Sequence, residues 1–289
     1  ISTNMTPVRR HIGGIPKSLS LQMEEGNYYE ALQLYRTLQS RYEAAGKFKE
    51  SDELVYDGIV NMNKYGQTIS AYDLATVYIT SLKTRSTSFS SEVADHMIDI
   101  LKTFPQGEEK EKLLFAFTQW CHTMGNALVG YPPLNVFAAK YYWEKKDYSQ
   151  SSTFFLVSED MTEYAQMVLE WAATGYASEI DLFVTRPVLW LVEKKNLRDA
   201  NAFFAAVKKL KESDADFGKL PLIHFCDFLL QTLTRDAAPL FNLLKEKYAP
   251  ELKRDPKIES LVTEIGRVYF NIYPQNDMFT NMLRMFSGM

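Results

Sequence analysis

A short turn signature that returns four times constrains this chain more than any other feature. The copies are Gly26-Asn27-Tyr28-Tyr29-Glu30-Ala31, Gly46-Lys47-Phe48-Lys49-Glu50-Ser51, Lys146-Asp147-Tyr148-Ser149-Gln150-Ser151 and Lys195-Asn196-Leu197-Arg198-Asp199-Ala200. Each has Gly or Lys, then a polar residue, then a large apolar residue with a small residue three positions beyond it. On a helix those last two meet one turn apart, and the small side chain lets a neighbouring helix come close. Paired-helix repeats begin their helices this way. The copies are irregularly spaced, so the reading is all-α: a right-handed α-solenoid of degenerate TPR-like helix pairs.

Length agrees with stacking. At 289 residues the chain is near the size, about 250–300 residues, where one compact core stops growing. A stack of helix pairs escapes that limit because each pair touches only its neighbours. No Pro- or Ser-rich linker interrupts the run, so one continuous solenoid over residues 17–289 is expected, after a flexible segment at 1–16. The chain begins at Ile1, not at a Met, which reads as a fragment. The Asn4-Met5-Thr6 sequon is taken as accidental.

The helical period is explicit in two stretches. Residues 28–45 place Ala31, Leu34, Tyr35, Leu38 and Tyr42 on one stripe and leave Gln33, Arg36, Gln39 and Glu43 outside; residues 67–84 repeat the stripe with Ala71, Leu74, Ala75, Tyr78 and Leu82. Ser90 with Glu92 reads as a capped helix start. Pro132-Pro133 opens another, because proline fits a first helical turn. The polar, Gly-containing stretch 212–220 breaks the rhythm and predicts a loop insertion or a short hairpin. Segments 178–193 and 220–233 are apolar nearly all round and must be covered on every side, either by their own neighbours or by another chain. The run Met278, Phe279, Met282, Leu283, Met285, Phe286 reads as an amphipathic helix, closing the last layer or meeting a partner helix.

Chemistry is sparse. Lys and Arg number 32 against 36 Asp and Glu, a net charge of -4, without the basic excess of a nucleic-acid binder. The two cysteines, Cys121 and Cys226, do not make a disulfide framework and suit a reducing cytosol. No apolar run approaches the ~20 residues that span a bilayer. Phosphate-loop, dinucleotide, nucleophile-elbow and zinc-protease motifs are missing. Cys121-His122 and His224-x-Cys226 carry zinc's preferred ligand types, yet adjacent residues diverge on a helix, so buried structural roles are expected. Glu92, His96 and Asp99 share a face and read as solvated. Neither a catalytic residue nor a cofactor or metal site is expected.

Several blocks resemble one family. Gly26-Asn27-Tyr28-Tyr29-Glu30-Ala31, continuing through Arg36-Thr37-Leu38 to Arg41-Tyr42, resembles the opening helices of the Golgi-to-ER traffic protein four family. Ala71-Tyr72-Asp73-Leu74, Trp120, Gly130-Tyr131-Pro132, Ser178-Glu179-Ile180-Asp181-Leu182-Phe183-Val184, Arg254-Asp255-Pro256, Ile265-Gly266 with Tyr269-Phe270, and the Met/Leu-rich end with Ser287-Gly288 follow in family order. Tyr273-Pro274-Gln275-Asn276 departs from the family pattern, and the 212–220 loop is shorter than in some fungal members. The resemblance implies a scaffold without catalysis in the guided-entry pathway for tail-anchored membrane proteins. The N-terminal half, residues 17–145, would dock on the targeting ATPase, and the C-terminal half, residues 146–289, would clamp a ubiquitin-like protein that recruits a client-loaded co-chaperone. In animals the same subunit joins a larger quality-control complex. Lys17, Tyr29, Arg36, Arg41 and Asp73 are the expected ATPase-binding residues. Leu222, Phe225, Phe228, Leu229, Tyr269 and Phe270 are expected to form or support the groove for the ubiquitin-like partner. The alternative is a helical-repeat subunit of another assembly, of proteasome-lid or vesicle-coat type; residues 250–289 lack the strand-bearing ending usual there.

Overall fold

The computed structural model describes residues 17–125 and 130–273. Among the described residues regular structure is helical throughout, with no strand. The chain divides at Leu134 into two compact units, residues 1–134 and 135–289.

The first unit holds α1 (Lys17–Glu24), α2 (Tyr28–Ala44), α3 (Phe48–Lys64), α4 (Thr68–Thr84), α5 (Ser91–Thr103) and α6 (Glu108–Met124). Here α2, α4 and α6 lie side by side in one row, with α3 and α5 behind them. The boundary at Leu134 falls in the first turn of α7 (Pro132–Glu144).

The turn signature does what its pattern predicts. In all four copies the helix begins at the large apolar residue: Tyr28, Phe48, Tyr148 and Leu197. The small residue one turn on is buried each time, as Ala31, Ser51, Ser151 and Ala200. The leading Gly or Lys closes the preceding helix in the left-handed conformation, at φ +78° for Gly26, +70° for Gly46, +61° for Lys146 and +60° for Lys195. Its N–H and the next one turn back onto the helix just ended; Lys195 N donates to Val192 O and Asn196 N to Leu191 O, at 2.8 and 2.9 Å. That pairing satisfies the last carbonyls in a two-residue connection. A fifth copy, Gly66-Gln67-Thr68 with buried Ala71, has the same geometry. The sequence conceals it because Thr68 stands where the others have a large apolar residue.

The second unit adds α8 (Tyr148–Phe155), α9 (Met161–Ala172), α10 (Ile180–Glu193), α11 (Leu197–Leu210), α12 (Pro221–Thr234), α13 (Ala238–Lys247), α14 (Ala249–Leu252) and α15 (Pro256–Phe270). Its centre is α10, which packs against α9, α11, α12 and α15. That covering answers the all-round apolar character of 178–193: neighbours within the same unit bury it. The next apolar helix, α12, is flanked by α10, α11, α13 and α14.

Of the two alternatives for residues 212–220 the structure has the loop, with a 3-10 turn at Phe217–Lys219, because the Asp214 carboxylate accepts the Asp216 and Phe217 N–H groups and Phe217 is buried. Three expectations need correction. Gln39 is buried, not outside, and donates to Ser81 Oγ at 2.8 Å. His96 is not on a freely solvated face; its ring lies against Tyr56 and Tyr78, 4.9 and 5.4 Å between centroids. Cys121 and Cys226 are buried, but His122 and His224 beside them are exposed. The expected segment 1–16 with Asn4 and His11, the Lys17 side chain, Pro274-Gln275-Asn276, the run 278–286 and Ser287-Gly288 lie outside the described residues.

Candidate partner-binding surfaces

Arg36 on α2 donates to the Asp73 carboxylate on α4 at 3.1 Å, joining two residues expected at the ATPase face. Both line a groove of about 400 Å³ between those helices, together with Gln39, Glu43, Thr76 and Thr80. Thr76, Thr80 and Thr84 each donate to the carbonyl four residues back, so that wall offers hydroxyl oxygens as acceptors. Arg41, in the exposed last turn of α2, does not line the groove.

Three apolar side chains stand out from the same row. Tyr29 at the start of α2 is 69% exposed, Ile69 at the start of α4 76%, and Phe115 on α6 67%. Ile69 and Phe115 escaped the sequence reading, which takes apolar residues for core. Phase betrays them: Ile69 shares its helical face with Asp73, Thr76 and Thr80, and Phe115 shares its face with Lys112 and Gln119, opposite buried Leu114 and Phe117.

Beneath this face the core of the first unit is tight and partly polar. The Tyr35 hydroxyl and the Asn61 amide both donate to Asp57 Oδ2 at 2.9 Å. Burial raises the Asp57 carboxyl above its ordinary value, although both hydrogen bonds oppose the rise.

On the second unit the expected clamp residues separate into two groups. Leu222, Phe225 and Leu229 are fully enclosed core, with Phe225 packed on Tyr248 at 5.5 Å between ring centroids. They support a surface and do not form one. Phe228, on the flank of α12, is 46% exposed beside the His224 ring. Tyr269 and Phe270 are half-buried, and Phe270 packs on Phe241 at 5.2 Å.

Burial pushes the Cys121 thiol up to about 11 and the Cys226 thiol up to about 12, which keeps both from thiolate chemistry. Among the described residues no group of His, Cys, Asp and Glu is placed to hold a metal ion, and no helix is long and apolar enough to cross a membrane.

Two of the blocks that carried the resemblance meet in space, since Arg254 and Asp255 pair with Asp181 and Arg186 of α10. The model of the family described as Golgi to ER traffic protein 4 matches residues 45–289. The chain belongs to that family. The Golgi to ER traffic protein 4 homolog of Oryzias latipes is 32% identical over 92% of this chain and 84% of its own length. Protein GET4 of Arabidopsis thaliana is 28% identical over 99% and 98%. The crystal structure of C. therm. Get4 superposes with a TM-score of 0.83 over 93% of both chains at 22% identity, a likeness that speaks for the helical-solenoid fold. Membership of the Golgi to ER traffic protein 4 family gives the chain a role in the GET pathway of protein transport.

Proposed function

We propose that this chain is a non-catalytic cytosolic scaffold that bridges two components of tail-anchored protein delivery to the ER. The first unit binds the targeting ATPase through the α2–α4–α6 row. The second holds the ubiquitin-like protein that recruits the client-loaded co-chaperone. Neither nucleic acid nor direct membrane insertion enters this role; in animals a larger quality-control complex would include the same subunit. Lys17, Tyr29, Arg36, Arg41 and Asp73 remain the proposed ATPase contacts, joined by Ile69 and Phe115. Phe228, Tyr269 and Phe270 are the proposed contacts of the ubiquitin-like protein, with Leu222, Phe225 and Leu229 supporting them.

The observation that carries this reading is the exposed set Tyr29, Ile69 and Phe115 beside the Arg36–Asp73 pair. Exposed aromatic and aliphatic anchors ringed by charge are what a transient docking face needs: the anchors supply affinity, and the charges set register and on-rate. Replacing Ile69 and Phe115 together by Asp should abolish ATPase capture in a pull-down while leaving the helical content and the ubiquitin-like partner in place. Retention of the ATPase at wild-type affinity would remove this face from the interface.

A further inference from the structure

The covering of α10 is open along one edge. Phe183, Arg186 and Trp190 share a face of the helix and are half-buried, while the residues between them, Val184, Thr185, Pro187, Val188 and Leu189, are buried. From Phe183 the edge continues sideways as a ladder of rings. Half-buried Trp171 of α9 meets Phe183 at 5.3 Å and stacks on half-buried Tyr148 of α8 at 6.0 Å between centroids. The Arg186 guanidinium lies 5.8 Å from the Phe183 ring centre, and the Lys194 ammonium 5.6 Å from that of Trp190. Tyr176, 75% exposed, follows Gly175, where an added Cβ would touch the Phe183 ring at 3.5 Å.

Two properties define what this edge can hold. The first is its surplus of donors. The indole N–H groups of Trp171 and Trp190 and the Tyr176 hydroxyl donate to no acceptor among the described residues. Nearby carboxylates are already occupied: Glu170 accepts from Trp143, Lys146 and Tyr148, and Asp255 from Arg186. The second is the outward sign of its ion pairs. Arg186 is 43% exposed and its partner Asp255 9%; Lys194 is 55% exposed and its partner Glu193 17%. Lys146 is likewise the outer member of its pair with Glu170.

We propose that this edge docks an acidic, proline-rich segment of a partner protein in the polyproline II conformation. Proline has no N–H, so such a segment presents carbonyl acceptors, which the free indole and hydroxyl donors match. Its pyrrolidine rings pack on aromatic side chains, and its extended form is already ordered before binding. Spacing agrees: Phe183 and Trp190 are about 10.5 Å apart along α10 at 1.5 Å per residue, and three polyproline II residues span about 9.3 Å. Acidic residues between the prolines meet the outward cations Lys146, Arg186 and Lys194. None of these residues belongs to either docking face proposed above, so the segment is a third ligand.

Fluorescence anisotropy of the full chain with a labelled peptide of four Glu-Pro-Pro units tests this, beside Glu-Gly-Ser and Gln-Pro-Pro peptides of equal length. No other pathway component is present, so the outcome is independent of the scaffold role. The Glu-Pro-Pro peptide should bind about tenfold more tightly than either control. Trp171→Phe keeps the ring but removes the N–H, and Tyr176→Ser alters a side chain outside the core; each should weaken binding by roughly two- to tenfold. Lys194→Glu should weaken the acidic peptide and leave the Gln-Pro-Pro peptide unchanged. Equal binding of the Glu-Gly-Ser peptide, no binding at about 1 mM, or full affinity in both Trp171→Phe and Tyr176→Ser would overturn the proposal.

Discussion

Arg254 grips the wholly buried carboxylate of Asp181, with Nη1 donating to Oδ2 at 2.9 Å and Nη2 to Oδ1 at 3.2 Å, across 73 residues of sequence. Nη2 also donates to Ser178 O at 2.8 Å. A second pair runs the other way: Arg186 of α10 donates to Asp255 at 2.7 Å, and Asp255 caps α15 by accepting from Lys257 N at 2.9 Å. Two neighbouring residues of opposite charge thus lock onto two residues of opposite charge on the central helix, fixing where α15 starts.

Arg254→Ala should therefore destabilise the protein by about 3–5 kcal/mol, because it strands a buried carboxylate. Urea unfolding followed by circular dichroism measures this. Arg254→Ala combined with Asp181→Leu should recover much of the loss, since no uncompensated charge remains. A single-variant cost below about 1 kcal/mol, the range of surface ion pairs, would mean the pair is not structural.

Asp255 makes the second pair pH-sensitive. Burial alone would raise its carboxyl, but the Arg186 hydrogen bond, the Lys257 N–H and the nearby positive charge outweigh that and hold it below the ordinary carboxylate value. An acid with a lowered folded pKa contributes stability above its unfolded value, about 3.9, and loses it as pH falls through the folded value. Asp255→Asn keeps a capping side chain but loses the charge. It should cost roughly 1–2 kcal/mol at pH 7, and the gap from wild type should close below about pH 4. A gap that stays constant from neutral to acid pH would contradict this assignment.

Gly58 is required by a three-helix contact in the first unit. A Cβ there would lie 2.8 Å from Leu74 Cδ1 on α4 and 2.9 Å from Tyr35 Cδ1 on α2, and both side chains are enclosed. Alanine gains about 1 kcal/mol of helix propensity, but overpacking costs typically 1–3 kcal/mol. The tyrosine hydroxyl is anchored to Asp57, so its ring cannot swing away without breaking that bond. Gly58→Ala should lower Tm, whereas a rise would show that the α2–α3–α4 packing has slack.

Under the proposed function the chain should bind the ATP-loaded ATPase more tightly than the nucleotide-free form, by roughly 5- to 150-fold, the usual range of such coupling. Titration against both forms measures it. Equal dissociation constants would make the chain a passive tether, because a ligand shifts an equilibrium only by its differential affinity.

Much of the fold was legible because helix starts are local. The αL residue, the apolar residue and the small residue one turn on lie within six positions, as in Lys195 to Ala200, and the structure begins each helix where they stand. Surfaces were less legible because exposure depends on what other helices cover. Phe225 and Phe228 are three residues apart on one apolar helix, yet one is enclosed against Tyr248 and the other is exposed. Nothing in residues 220–233 reveals that α10, α11, α13 and α14 enclose Phe225 and leave Phe228 exposed. Ile69 was the reverse case, an apolar residue whose phase with Asp73 and Thr76 already marked the outer face.

The central claim is that one chain holds two partners at once on separate surfaces. Light scattering coupled to size exclusion, with this chain, the ATP-loaded ATPase and the ubiquitin-like protein mixed, tests it most directly. The account predicts one species containing all three. Ile69→Asp/Phe115→Asp should remove only the ATPase from it, and Phe228→Asp should weaken only the ubiquitin-like protein. Mutually exclusive binding, or loss of both partners from either variant while the fold is retained, would contradict the account.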